Sequence, residues 1–228
     1  MVPHSDLTEA TDPYCLSPGG AGGLLAGAPW RRFGVIGDSL SAGVGDPSPG
    51  YAPEGWPERV ATTLRLVAPD LEYSNIARVG ATTVDALRDQ VDRIRAFAPH
   101  LLHVPSGPND LLTRTPDYPA IERNLDRLYA QAADTGAQLM TFTLGRAFVV
   151  PTFADWTDRI RRLNDIVRSV ASTRGAVVVE MWDHPINDRP NLVSADGIHF
   201  SSSGQAVLAA EYVKSLAALI RDHRAVSR

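Results

Sequence analysis

From Phe33 onward the chain alternates short apolar runs with longer stretches whose apolar residues recur every three or four positions. The short runs are Phe33–Ile36, Leu71–Asn75, His100–Pro105, Gln138–Leu144 and Ala176–Glu180. Residues 56–67 read as the first helix between them. Val84, Leu87, Val91 and Ile94 line one face of the next, and Ile121, Leu125, Leu128 and Ala132 one face of a third. Trp156, Ile160, Leu163, Val167 and Val170 repeat that step, which leaves arginines 159, 161, 162 and 168 mostly solvated. Ser201 is a good N-cap for a last helix through Val207, Ala210, Val213, Ala217 and Ile220. Five strands separated by helices predict an α/β fold with a five-stranded, mainly parallel sheet covered on both faces.

At 228 residues the chain suits one such domain, here 31–228, and is too short for two large ones. Residues 1–30 stand apart as an N-terminal extension, either flexible or packed on the domain. No basic residue precedes the Gly/Ala stretch at 19–28, and glycines interrupt its apolar core. It makes a poor signal peptide, and a cytoplasmic location is expected. No run is long and apolar enough to suggest a membrane span. A net charge of −4 with no recurring Lys/Arg block argues against nucleic acid as a partner. One cysteine, Cys15, excludes an intrachain disulfide and a cysteine-built metal site. Lys214, the only lysine, follows Val213, so no phosphate-binding P-loop exists. His100 and His103 point to opposite faces of one strand and cannot share a metal.

In an open parallel sheet the ligand crevice lies beyond the carboxyl ends of the strands. After the first strand comes Gly37-Asp38-Ser39-Leu40, where a tight turn can expose a serine Oγ beside converging backbone N–H groups. Asp38 and Ser39 equally suit a plain helix cap. Gly80, after the second strand, can offer its N–H to a ligand or simply make a turn. Asn109, in Gly107-Pro-Asn-Asp after the third strand, carries an NH₂ donor that suits an oxyanion hole or an Asx-turn. Before the last helix stands Asp196-Gly-Ile-His199, a base beside a carboxylate able to orient it. Each feature alone is weak. Four of them on loops at one sheet end are not.

These four blocks, in this order, resemble the SGNH hydrolase superfamily, the GDSL esterases and lipases. The alternating pattern around them spans residues 33–220, and Gly37–Trp56, with its Gly43-Val-Gly-Asp-Pro run, looks like the actinobacterial branch. The resemblance implies a three-layer α/β/α, flavodoxin-like fold and no metal or other cofactor. It implies Ser39 as nucleophile, His199 as base and Asp196 as its orienting carboxylate. The oxyanion hole would consist of the Ser39 and Gly80 N–H groups and the Asn109 amide. Two departures stand out: Pro108 precedes Asn109, and Ser202-Ser203 replaces the Pro-Glu often found after the histidine.

The expected activity is hydrolysis of a carboxylic ester through an acyl-Ser39 intermediate, the substrate being a small acylated metabolite, lipid or sugar. An acyltransferase using the same intermediate and a catalytically silent binding module are the alternatives. The loop 44–57 and the segment 146–156 should border the pocket, offering Tyr51, Trp56, Phe148, Phe153 and Trp156 as apolar lining. Asp38, Arg78 and Arg146 complete the candidate substrate contacts, the arginines for an anionic substrate. The alternative for all of these is packing under the loops or solvated charge.

Overall fold

The structure, a computed structural model, describes residues 7–226. Five strands, β1 (Arg32–Val35), β2 (Glu72–Asn75), β3 (Leu101–His103), β4 (Gln138–Phe142) and β5 (Val177–Val179), form one parallel sheet in the order β2-β1-β3-β4-β5. β3, β4 and β5 end before their apolar runs do, because each run continues into the loop that leaves the sheet.

Eight helices cover it: α1 (Pro18–Leu24), α2 (Ser39–Ala42), α3 (Trp56–Arg65), α4 (Thr83–Asp89), α5 (Val91–Phe97), α6 (Tyr118–Ala133), α7 (Trp156–Thr173) and α8 (Ser202–Val226). α1, α3 and α8 pack together, as do α4 to α7. Alternation along the strands separates the two groups. In register, Val35 pairs with His103, whose ring reaches Tyr212 of α8, whereas a Cβ on the neighbouring Gly34 would press on Ile94 of α5. The apolar positions predicted for α6, α7 and α8 are all buried.

Two expectations need correcting. The helix predicted through Val84 and Ile94 is two helices that break at Gln90, and Val84 is exposed. At the break the Gln90 side chain turns inward to the backbone of Gly37. Arg159, expected in solvent, is 5% exposed: it lies over the Phe153 ring and donates to the carbonyls of Leu111, Thr113 and Arg114. Helical spacing places a residue on a face; it does not say that a loop will fold over that face.

Residues 7–30 are packed against the sheet domain. Leu25 and Trp30 join the core. Asp12 and Arg189 form an ion pair almost wholly removed from solvent, to which the Tyr51 hydroxyl adds a 2.8 Å hydrogen bond. Burial pushes the Asp12 carboxyl up, but the hydrogen bonds from Arg189, the Tyr14 N–H and Tyr51 outweigh it and leave it below the ordinary carboxylate value. Glu9 binds Arg59 in the same arm-to-domain seam.

Candidate active site

The turn from β1 into α2 carries Ser39 at the first helical position, with Asp38 as the N-cap. The Asp38 carboxylate accepts the Leu40 N–H at 2.9 Å and the Ser41 N–H at 3.4 Å. It is buried, and desolvation raises its pKa to about 6. Gly37 adopts φ +136°, a conformation that side-chain-bearing residues rarely take, and a Cβ there would overlap Ser41 Oγ.

Neighbouring side chains hold this turn from all sides. Gln90 Oε1 accepts the Gly37 N–H at 2.6 Å, and its Nε2 donates to the Gly37 carbonyl at 2.8 Å. Trp56 Nε1 donates to the Leu40 carbonyl, and Asn75 Nδ2 to that of Ser41. Ser41 Oγ lies 3.0 Å from His103 Nε2, and Tyr212 Oη 2.9 Å from His103 Nδ1. Complete burial drops the His103 pKa to about 3, so the ring is neutral and serves as a structural joint between sheet and α8.

His199 approaches on a narrow hairpin between β5 and α8. Val193 and Phe200 form an antiparallel bridge, and the Ser194 N–H donates to the His199 carbonyl at 2.8 Å. Gly197, at φ +73°, makes the turn. At the tip, Asp196 Oδ1 accepts the N–H groups of Ile198 and His199. Asp196 Oδ2 lies 2.6 Å from His199 Nδ1, and His199 Nε2 lies 2.7 Å from Ser39 Oγ. Burial raises the Asp196 pKa, but the hydrogen bonds from the His199 ring and the two backbone N–H groups prevail, and the carboxyl stays below its ordinary value. An ionised Asp196 fixes the His199 tautomer with hydrogen on Nδ1, which leaves Nε2 free to accept from Ser39.

Two further loops carry the remaining candidate donors, and of these Asn109 shares a cleft with Ser39. Gly80 sits at φ +78°, and no acceptor among the described residues takes its N–H. Asn109 lies in a 3-10 turn, Pro108–Leu111, where Pro108 occupies a first-turn position that needs no N–H donor. Its Nδ2 donates one hydrogen to the Ala81 carbonyl at 2.9 Å and keeps the other. Asp110 ties the same turn to the start of α4 by accepting both the N–H and the hydroxyl of Thr83. Arg159 holds its far end.

Ser39, Asn109 and His199 open onto a cleft of about 30 Å³ whose apolar wall includes Leu112, Leu144, Phe148, Trp156 and Ile198. Of the residues offered as lining or substrate contacts, Phe148 and Trp156 line it and Phe153 does not. Asp38 is a buried cap. Tyr51 is buried beneath the N-terminal arm on Asp12, and Trp56 lies in the core, stacked on Tyr212 at 4.3 Å. Arg78 pairs with Asp85 and Asp89, and Arg146 with Asp188, all at the surface. The loop aromatics turn inward because their polar atoms find partners that are remote in sequence. The sequence does not single out Gln90, and it shows Arg159 and His103 only as a solvated charge and a strand residue, because nothing local distinguishes their roles here.

A larger hollow of about 400 Å³ lies between the arm, α3 and α8. Burial pushes the Cys15 thiol there up to about 12, and Arg59 is committed to Glu9 and to the Glu54 and Ala52 carbonyls. Among the described residues no group of three His, Cys, Asp or Glu side chains is placed to hold a metal, and no helix is long and apolar enough to cross a membrane.

The GDSL-like lipase/acylhydrolase family matches residues 35–207, a span that runs from the end of β1 through the Ser39 turn into the start of α8. The chain belongs to this family. It is thereby a carboxylester hydrolase of the SGNH/GDSL type, and the five-stranded parallel sheet is that of its solved relatives. A metagenomic α/β hydrolase from Lake Arreo, Spain, superposes with a TM-score of 0.65 at 22% identity, over 84% of this chain and 95% of that one. The lipase/acylhydrolase of Enterococcus faecalis gives 0.65 at 20% identity, over 82% and 96%. An acetyl xylan esterase variant from Geobacillus stearothermophilus gives 0.61 at 18%, over 84% and 95%. No curated protein matches the chain by sequence.

Proposed function

We propose that this GDSL hydrolase cleaves esters of short-chain acids by two-step acyl transfer through Ser39. The unbroken chain Ser39 Oγ–His199 Nε2 and His199 Nδ1–Asp196 Oδ2, at 2.7 and 2.6 Å, carries the reading. Ser39 Oγ attacks the ester carbonyl while His199 Nε2 takes its proton, and Asp196 stabilises the imidazolium that results. The carbonyl oxygen, now negative, collects the N–H groups of Ser39 and Gly80 and the free hydrogen of the Asn109 amide. His199 then protonates the departing alkoxide. Water, deprotonated by the same ring, attacks the acyl-Ser39 and releases the acid.

The size of the cleft supports a short acyl group. A single water needs ~10–15 Å³ on the same scale, so about 30 Å³ of apolar space accepts a few carbon atoms and not a long chain. Neither Arg78 nor Arg146 reaches the cleft, so nothing there calls for an anionic acyl part.

A fluorophosphonate probe tests the nucleophile: it should label wild type and leave Ser39→Ala unlabelled. Unlabelled wild type would overturn the reading. A panel of p-nitrophenyl esters from acetate to decanoate, run with and without added alcohol, tests the rest. Turnover should fall with chain length and yield free acid; a dominant transesterified product would establish a transferase instead.

A further inference from the structure

The Gly43-Val-Gly-Asp-Pro run takes no part in the chemistry above, yet its backbone joins the two halves of the site. Ser39 and His199 come from loops after β1 and β5, two strands that are not neighbours in the sheet, so no ladder sets their relative position. The run spans this gap. On the nucleophile side, the Val44 N–H donates to the Ser39 carbonyl at 3.1 Å. On the base side, Asp46 bonds both the hairpin and the start of α8, where the Ser202 hydroxyl also donates to its carbonyl at 3.3 Å. Its N–H donates to Ser194 Oγ, its Oδ2 accepts the Ala195 N–H, and its carbonyl accepts the Ser202 N–H, each at 2.8 Å. Gly45 lies so close to the hairpin that a Cβ would overlap the Phe200 carbonyl oxygen. Ala195 and Phe200 flank the Asp196–His199 tip directly.

On the reading of Ser39 as nucleophile and His199 as base, we propose that Gly45 and Asp46 are positioning residues: they set the register of the Asp196–His199 hairpin against Ser39. Neither touches the cleft. Asp46 fixes the peptide that leads into Asp196, and Gly45 lets the hairpin close onto the α2 exit. A shift of the His199 ring by a fraction of an ångström lengthens the 2.7 Å contact on which proton transfer depends.

The experiment compares wild type with Asp46→Ala, Asp46→Asn and Gly45→Ala on p-nitrophenyl acetate, with kcat expressed per site titrated by fluorophosphonate. Counting reactive sites removes any unfolded fraction, so a role in folding alone leaves this kcat unchanged. Asp46→Ala should lose about tenfold in kcat with KM within about twofold, because misplacement of the base acts on the transition state and not on binding. Asp46→Asn keeps an Oδ1 acceptor for Ala195 and should stay within about threefold of wild type. Gly45→Ala should lose about a hundredfold, the scale set by ångström misplacement. Wild-type kcat per site in both Asp46→Ala and Gly45→Ala would overturn the proposal. If these two do not fold, Ser194→Ala, which removes only the acceptor of the Asp46 N–H, decides in the same way: a several-fold fall in kcat at constant KM supports the brace and wild-type values overturn it. Failure of wild type to react with the probe would instead overturn the serine mechanism itself.

Discussion

Gln90 holds Gly37 by both of its backbone groups, accepting from the N–H at 2.6 Å and donating to the carbonyl at 2.8 Å. The clamp is buried and lies two residues before Ser39. It explains why the second helix layer breaks where its apolar period would have continued.

Replacing Gln90 with Leu should therefore damage both stability and turnover. The Gly37 carbonyl keeps a bond from the Arg78 N–H, but the Gly37 N–H is left buried without a partner. An orphaned buried donor costs about 1–3 kcal/mol, which urea unfolding would register. Because the loosened peptide leads straight into Ser39, fluorophosphonate inactivation should slow more than tenfold. Unchanged inactivation in a destabilised protein would confine Gln90 to a structural role.

On the proposed mechanism, Asn109→Ala removes one of three oxyanion donors, together with the hydrogen bond that anchors it on Ala81. The expected loss is ~10²–10³ in kcat, with KM changed little, since the amide bonds the transition state more strongly than the ester. Steady-state kinetics decide it, and an unchanged kcat would remove Asn109 from the mechanism.

His103 should shape the acid limb of stability. Its pKa is about 3 in the folded protein against an ordinary 6.5, so between these values the unfolded chain binds a proton that the folded chain refuses. Stability must then fall as pH drops from 6.5 toward 3, and the contribution is fully present only above 6.5. His103→Gln removes the titration. Denaturant unfolding at a series of pH values from 7 to 4.5 should show a shallower slope in the variant than in wild type.

Asp12→Ala leaves the Arg189 guanidinium buried and uncompensated, which costs about 3–5 kcal/mol. Arg189 follows the 3-10 turn Pro185–Asp188 and leads into the hairpin that carries His199, so the arm and that hairpin should loosen together. Hydrogen exchange should show protection lost in residues 7–17 and 189–200 of the variant. The double variant Asp12→Ala/Arg189→Met should be more stable than the single one, because it removes the stranded charge. Lowering the pH acts in the same direction: the folded Asp12 pKa is below its unfolded value, so its contribution holds above the ordinary carboxylate pKa and disappears as pH falls through the folded one.

Much of this was legible in the residues. Helical and strand periods gave the layer order, because burying one face of each element needs only local spacing. The loops that meet were also legible, since in a parallel sheet every strand delivers its following loop to the same edge. The neighbours of those loops were not. Trp56 and Tyr51 read as lining for a pocket, and one stacks on Tyr212 while the other bonds Asp12. Arg159 read as solvated, and it caps three carbonyls of a loop that begins 48 residues earlier in the chain. Such contacts answer a different demand: each buried donor or acceptor must find a partner, wherever in the chain that partner is.

By itself, then, the amino-acid order determined the alternating elements, the edge where function gathers and the chemical groups present there. Tertiary structure alone decided the 2.7 Å between Ser39 and His199, the small size of the cleft and the packing of residues 7–30 against the domain. The division has a physical cause. Periodicity and caps act over a few residues, whereas the distance between two side chains 160 positions apart is set by many long-range contacts together. Each of these contacts depends on how the others close.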